Sequence, residues 1–124
     1  MMSRFQVIPS VKFEVLIPTR YVRRDDPTQT PQFVQLTEIA RYLASMTAKY
    51  GYTMSNPHAP PPFVGGYQGG PQERSFWVTL IAPENLLDQA EQDILEMVAF
   101  FQEKYYQEEI LAYYYPVNRY IPSK

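Results

Sequence analysis

Val11, Phe13, Val15 and Ile17 alternate with Lys12 and Glu14 until Pro18 ends the run. A period of two is the signature of a half-buried strand, so 11–17 is predicted as the first β-strand. The next stretch, 19–30, carries Arg20, Arg23, Arg24, Asp25, Asp26 and Pro27 with no apolar period and is expected to be a charged loop. Thr30 followed by Pro31 has the form of a helix N-cap with proline at the first helical position. From there Phe33, Leu36, Ile39, Ala40, Leu43, Met46, Thr47 and Tyr50 recur at helical spacing up to Gly51. This predicts a helix over 31–50, about 30 Å long at ~1.5 Å per residue.

The segment 52–74 is dense in proline and glycine and cannot be one regular element. Short strand pieces are expected at 52–54 and 63–67, joined by loop. Residues 75–82, Ser-Phe-Trp-Val-Thr-Leu-Ile-Ala, are bulky and β-branched on both faces, as in a central strand. After Pro83, the stripe Leu86, Leu87, Ala90, Ile94, Met97, Val98, Phe101 and Tyr105 lies opposite Asp88, Glu91, Gln92, Glu96 and Glu103. That is an amphipathic helix. Residues 109–115 read as a last strand, closed by Pro116, with aromatics on both faces.

Strand, helix, two strands, helix, strand is the βαββαβ order of an α+β, ferredoxin-like domain spanning 1–124, an antiparallel sheet with two helices on one face. The other face would then carry large side chains: Phe76 or Trp77, Ile110, and the Tyr113–Tyr115 run. An uncovered apolar face of that kind marks an interaction surface, and Trp77, Ile110, Tyr113 and Tyr115 are its expected contacts. A homo-oligomer follows, a dimer ahead of a trimer, formed through that face or through an edge strand.

Composition narrows the chemistry. With no cysteine, disulfides, thiolate nucleophiles and cysteine-ligated metals are excluded. The chain lacks a signal-like opening and any apolar run of transmembrane length, so a cytoplasmic location without membrane contact is expected. A net charge of −2 offers no general attraction to nucleic acid. The run Arg74-Ser75-Phe76-Trp77-Val78 only faintly echoes the aromatic strand of an RNA-recognition motif, whose glycines and spaced aromatics are missing. Eleven tyrosines among 124 residues are many. Tyrosine suits margins where an apolar body needs a hydrogen-bonded tip.

The segment from Leu80 to Pro83, the helix running to Tyr105, and Gln107 to Ile110 resemble an uncharacterised ferredoxin-like family known only as a domain of unknown function. The resemblance covers about a third of the chain and rests on a hydrophobic pattern. It implies the same fold, while the export or lipoprotein segment usual in that family has no counterpart here. A long loop between the middle strands is also similar in layout to PII-like trimeric signalling proteins. That similarity would imply ligand clefts between subunits, although no phosphate-binding motif accompanies it.

Candidate sites are sparse. His58, the sole histidine, has no neighbouring carboxylate or second ligand in Asn56-Pro57-His58-Ala59-Pro60. Arg20, Tyr21 and Arg23, with Arg74 beyond the glycine-rich loop, could hold a small anionic ligand through guanidinium forks, against the simpler expectation that Asp25 and Asp26 neutralise the cluster. The glycines around Tyr67 run into Pro71 and a strand, not a helix, and so are expected to form a hinge or hairpin tip. No catalytic residue, metal or cofactor is assigned. The expected role is a self-associating interaction or ligand-binding module; a small-molecule enzyme or sensor would instead require Arg20, Tyr21, Arg23 and His58 to converge on one cleft.

Overall fold

A computed structural model describes residues 4–46, 48–54, 64–65 and 73–123. The elements run β1 (Phe5–Pro18), β2 (Arg20–Val22), β3 (Pro31–Phe33), α1 (Leu36–Ala44), β4 (Gly51–Met54), β5 (Val64–Gly65), β6 (Glu73–Pro83), a 3-10 turn (Glu84–Leu86), α2 (Leu87–Lys104) and β7 (Leu111–Pro122). The fold is mixed α+β. Its main sheet is antiparallel in the order β4-β6-β1-β7, with β5 pairing β6 and a separate β2–β3 ribbon.

Register assigns the faces. Val11, Phe13, Val15 and Ile17 lie opposite Ala82, Leu80, Val78 and Phe76, and all eight are buried. With Ile39 and Leu43 of α1 and Ala90, Ile94, Met97 and Phe101 of α2 they make the core. The helical stripe predicted for 84–105 is therefore the buried side of α2. Alternation sends Lys12, Glu14 and Leu16 to the other face, beside Ile81, Thr79 and Trp77 of β6 and Tyr115, Tyr113 and Leu111 of β7.

β1 and β7 outrun their predictions furthest. β1 begins at Phe5, and β7 passes through Pro116 to Pro122. The Ser123 N–H donates to the Arg4 carbonyl at 2.8 Å, which makes this a hydrogen-bonded pair; counting along the register, even-numbered β1 residues exchange bonds with β7. Pro9, opposite Asn118, and Pro116 and Pro122, opposite Val11 and Phe5, all fall at the alternate positions. No ladder bond is lost at any of them. β7 is an edge strand, where proline is tolerated and where Pro116 also blocks pairing with a further strand.

The helix predicted over 31–50 is shorter. Pro31 to Phe33 pair instead with Val22 to Arg20, and Phe33 is 66% exposed. Thr30 is no N-cap: its N–H donates to the Asp26 carboxylate, which also accepts the Thr28 N–H and hydroxyl. This Asx-type turn, with Gln29 at φ 55°, folds the expected charged loop into a hairpin. Val34 donates to the Thr19 carbonyl, α1 starts after Gln35, and Met46 and Tyr50 follow it in hydrogen-bonded turns.

Candidate functional site

The face of the main sheet opposite the helices centres on Glu14. On a strand exposed to water a glutamate normally reaches solvent, yet Glu14 is 5% exposed. Tyr113, directly across in β7, donates its hydroxyl to Oε2 in a short hydrogen bond, and Tyr115 donates to Oε1 at 2.8 Å. Lys12 Nζ lies 3.6 Å from Oε1 and 5.8 Å from the Tyr115 ring centroid. The two tyrosines are neighbours on one face of β7, with ring centroids 6.4 Å apart and planes 22° apart. Their rings lie across the sheet towards β1, and their hydroxyls converge on one carboxylate.

Burial pushes the Glu14 carboxyl up, but the hydrogen bonds from Tyr113 and Tyr115 and the Lys12 ammonium outweigh it and hold it below the usual carboxylate range. The same contact, with some desolvation, pushes Tyr113 up to about 12. Lys12 is also raised, first through Tyr115 and then through Glu14. At neutral pH the group is therefore a carboxylate clasped by two phenols and one ammonium, a local unit with little net charge. Around it stand Leu16, Trp77, Thr79, Ile81 and Val117, half-buried, and Leu111, 52% exposed. Among the described residues no helix or strand crosses this face.

Three of the four expected contacts lie on this face. Trp77, Tyr113 and Tyr115 are on it, whereas Ile110 is 6% exposed and belongs to the core. Ile110 precedes β7 and points inward; Leu111, the next residue, takes the exposed position. Phe76 is buried against Ile17 on the helix side, which removes it from any stacking platform.

The expected arginine cluster does not form a shared site among the described residues. Arg23 bonds Asp25 through Nε and Nη2, both at 3.1 Å, so its fork is filled by its own hairpin. Tyr21, on β2, turns inward to pack at a tilt against Tyr105 and to stack on Tyr106. Arg20 is exposed on the same ribbon. Arg74 pairs Val64 through its backbone; its side chain and all of His58 lie outside the described residues, as does most of the glycine-rich loop. A shallow depression on the outer side of α2, lined by Asp88, Glu91, Gln92, Leu95, Glu96 and Ala99, is the solvent face of an amphipathic helix.

Glu14 itself was missed by sequence reasoning. The spacing of Lys12 with Glu14 and of Tyr113 with Tyr115 shows two pairs each sharing a face, but only the β1–β7 register brings the pairs together. Among the described residues no group of three metal-ligating side chains occurs, and no helix is long and apolar enough to cross a membrane. No protein-family model, curated protein or solved structure matches the chain.

Proposed function

We propose that this chain is a ferredoxin-like module that self-associates by packing the sheet face opposite its helices against the same face of a second copy. The fold assignment is supported by the sheet order: with the long strands and β4 taken as the four strands, the second and fourth flank the third and first as β4-β6-β1-β7. The association rests on one observation, a face that combines exposed apolar side chains with a carboxylate already buried and bonded within the chain. Covering a carboxylate usually costs several kcal/mol unless its oxygens have partners. Here Tyr113, Tyr115 and Lys12 are in place, so a second layer can cover the centre without orphaning a charge.

The dimensions fit. Nine residues each of β1 and β6, seven of β7 and four of β4, at about 3.4 Å per residue and about 4.8 Å between strands, give a projected face of roughly 470 Å². The β1–β7 extension beyond β6, 5–9 with 118–122, adds to it. Stable interfaces bury about 800 Å² per partner. A second copy is favoured because the β7 line carries exposed Arg119 at one end and exposed Glu109 at the other, which an isologous contact can match to each other. Pro116 makes the β7 edge the poorer route.

Sedimentation at tens of micromolar should give twice the chain mass. Leu111→Asp, at a site exposed in the single chain, should give a folded monomer with unchanged far-ultraviolet circular dichroism. A wild-type chain that stays monomeric at 100 µM overturns the proposal.

A further inference from the structure

Two sheets facing each other across a two-fold axis can be arranged in two ways. With the axis along the strands, equal ends of the two sheets coincide. With the axis across the strands, each strand lies over its own copy running the opposite way, and the two ends exchange places. Charge distinguishes these arrangements, since like charges brought together across an interface select against it.

The two ends of β7 differ in sign. At its far end Arg119, level with Ile8, is exposed, and exposed Arg4 is nearby; residues 4–9 and 117–122 contain no acidic side chain. At its foot Glu108 and Glu109 are exposed just before Leu111, which is level with Leu16. The cations near that foot stand on other lines: Arg20 leaves on the β2–β3 ribbon, and Arg74 belongs to β6, two strands away. In the middle, Lys12 and Glu14 sit one residue either side of Phe13 on β1.

We infer that the second copy packs in the crossed orientation, with the two-fold axis at the level of Phe13 and Tyr114. That position maps Lys12 onto the level of the partner's Glu14 and Tyr115 onto that of the partner's Tyr113. It also maps Arg119, five residues to one side, onto the level of the partner's Glu109, five residues to the other, each about 17 Å from the axis at ~3.4 Å per residue. One choice of axis thus matches the central charges and those at the ends. The axis along the strands would instead set Arg119 at the end occupied by its own copy, Lys12 level with Lys12, and the acidic feet together.

This orientation rests on the face-to-face association proposed above, and charge reversal separates the two. Arg119→Glu and Glu109→Arg each replace two symmetry-related attractions by repulsions. Each change should raise the dimer dissociation constant about tenfold at low salt, with a smaller effect at 0.5 M salt. The double variant should return to within about threefold of wild type, since both swapped pairs are again opposite. A nitroxide on Tyr120→Cys, the sole thiol in the chain and on the sheet side away from the partner, should show an intersubunit distance of about 45 Å, against about 25 Å for the axis along the strands.

If the dimer is lost in Leu111→Asp while the double variant is no better than the singles, or the labels lie about 25 Å apart, the association stands and the crossed orientation is overturned. A wild-type chain that is monomeric removes both.

Discussion

Replacing Tyr113 by phenylalanine deletes one oxygen and leaves the ring. In the folded chain that oxygen is the donor to Glu14 Oε2, while Oε1 keeps Tyr115 and Lys12. Hydrogen bonds to charged groups contribute about 1.5–3 kcal/mol. Tyr113 is 40% exposed, so water replaces part of the lost bond and the lower end of that range applies. The expected loss is about 1.5 kcal/mol at pH 7. For 124 residues, at about 2.1 cal/mol/K each, the unfolding entropy near the midpoint is about 0.26 kcal/mol/K, so Tm should fall by about 6 °C.

The effect should depend on pH in a definite direction. Glu14 is held below its ordinary value in the folded chain, so its contribution is present above the unfolded carboxylate pKa of about 4.3 and is lost as pH falls through the depressed folded value. The gap between wild type and Tyr113→Phe should therefore be full at pH 7 and narrow below about pH 4. Urea titrations at both pH values measure it, and a cycle with Glu14→Gln should give a coupling of about 1 kcal/mol at pH 7. A gap under 0.5 kcal/mol at pH 7, or one that does not narrow in acid, refutes a charged Glu14–Tyr113 bond.

Glu38 is also held low, first by Lys104 and then by Tyr105, so a Glu14→Gln/Glu38→Gln double variant should lose less stability than wild type between pH 5 and pH 3; parallel acid-unfolding slopes would contradict this. Tyr106, at φ 54°, occupies the left-handed position after α2, where Gln107 N–H reaches the Gln102 carbonyl at 2.9 Å. Tyr106→Val should be less stable than Tyr106→Gly by about 1–2 kcal/mol in thermal unfolding, because a β-branched residue strains that geometry and glycine does not; equal stabilities would count against it.

The amphipathic periods were legible because each reports a single element against one core. Val11, Phe13, Val15 and Ile17, and Ala90, Ile94, Met97 and Phe101, are buried as their spacing requires. Features set by pairing between distant segments were not. Pro9 and Pro116 look like strand breakers in isolation and become permissible only in the β1–β7 register, which places them at positions that need no ladder bond. The reading of Phe33 as a helical position failed for a local reason: Asp26, Thr28 and Thr30 make a side-chain-to-backbone turn that pulls Pro31 to Phe33 into a hairpin, leaving the apolar spacing before Leu36 coincidental. Asp-Pro-Thr at 26–28 was the available signal.

The abundance of tyrosine now has a physical role beyond its apolar area. Tyr50 donates to Asp93 at 2.9 Å and Tyr105 to Glu38 at 2.8 Å, each linking the α1 region to α2, and both rings are at most 3% exposed. A phenol supplies a core-sized apolar body and a neutral donor, so a carboxylate can sit at the margin of a packed layer without a second buried charge. On the helix side these pairs stand where two layers meet. Glu14 with Tyr113 and Tyr115 repeats the device on the side where the described residues supply one layer. A carboxylate wholly open to water gains little from two phenols, because water already solvates it. The arrangement is useful where water is excluded, and the proposed second sheet would extend over its surroundings the exclusion that already leaves Glu14 5% exposed.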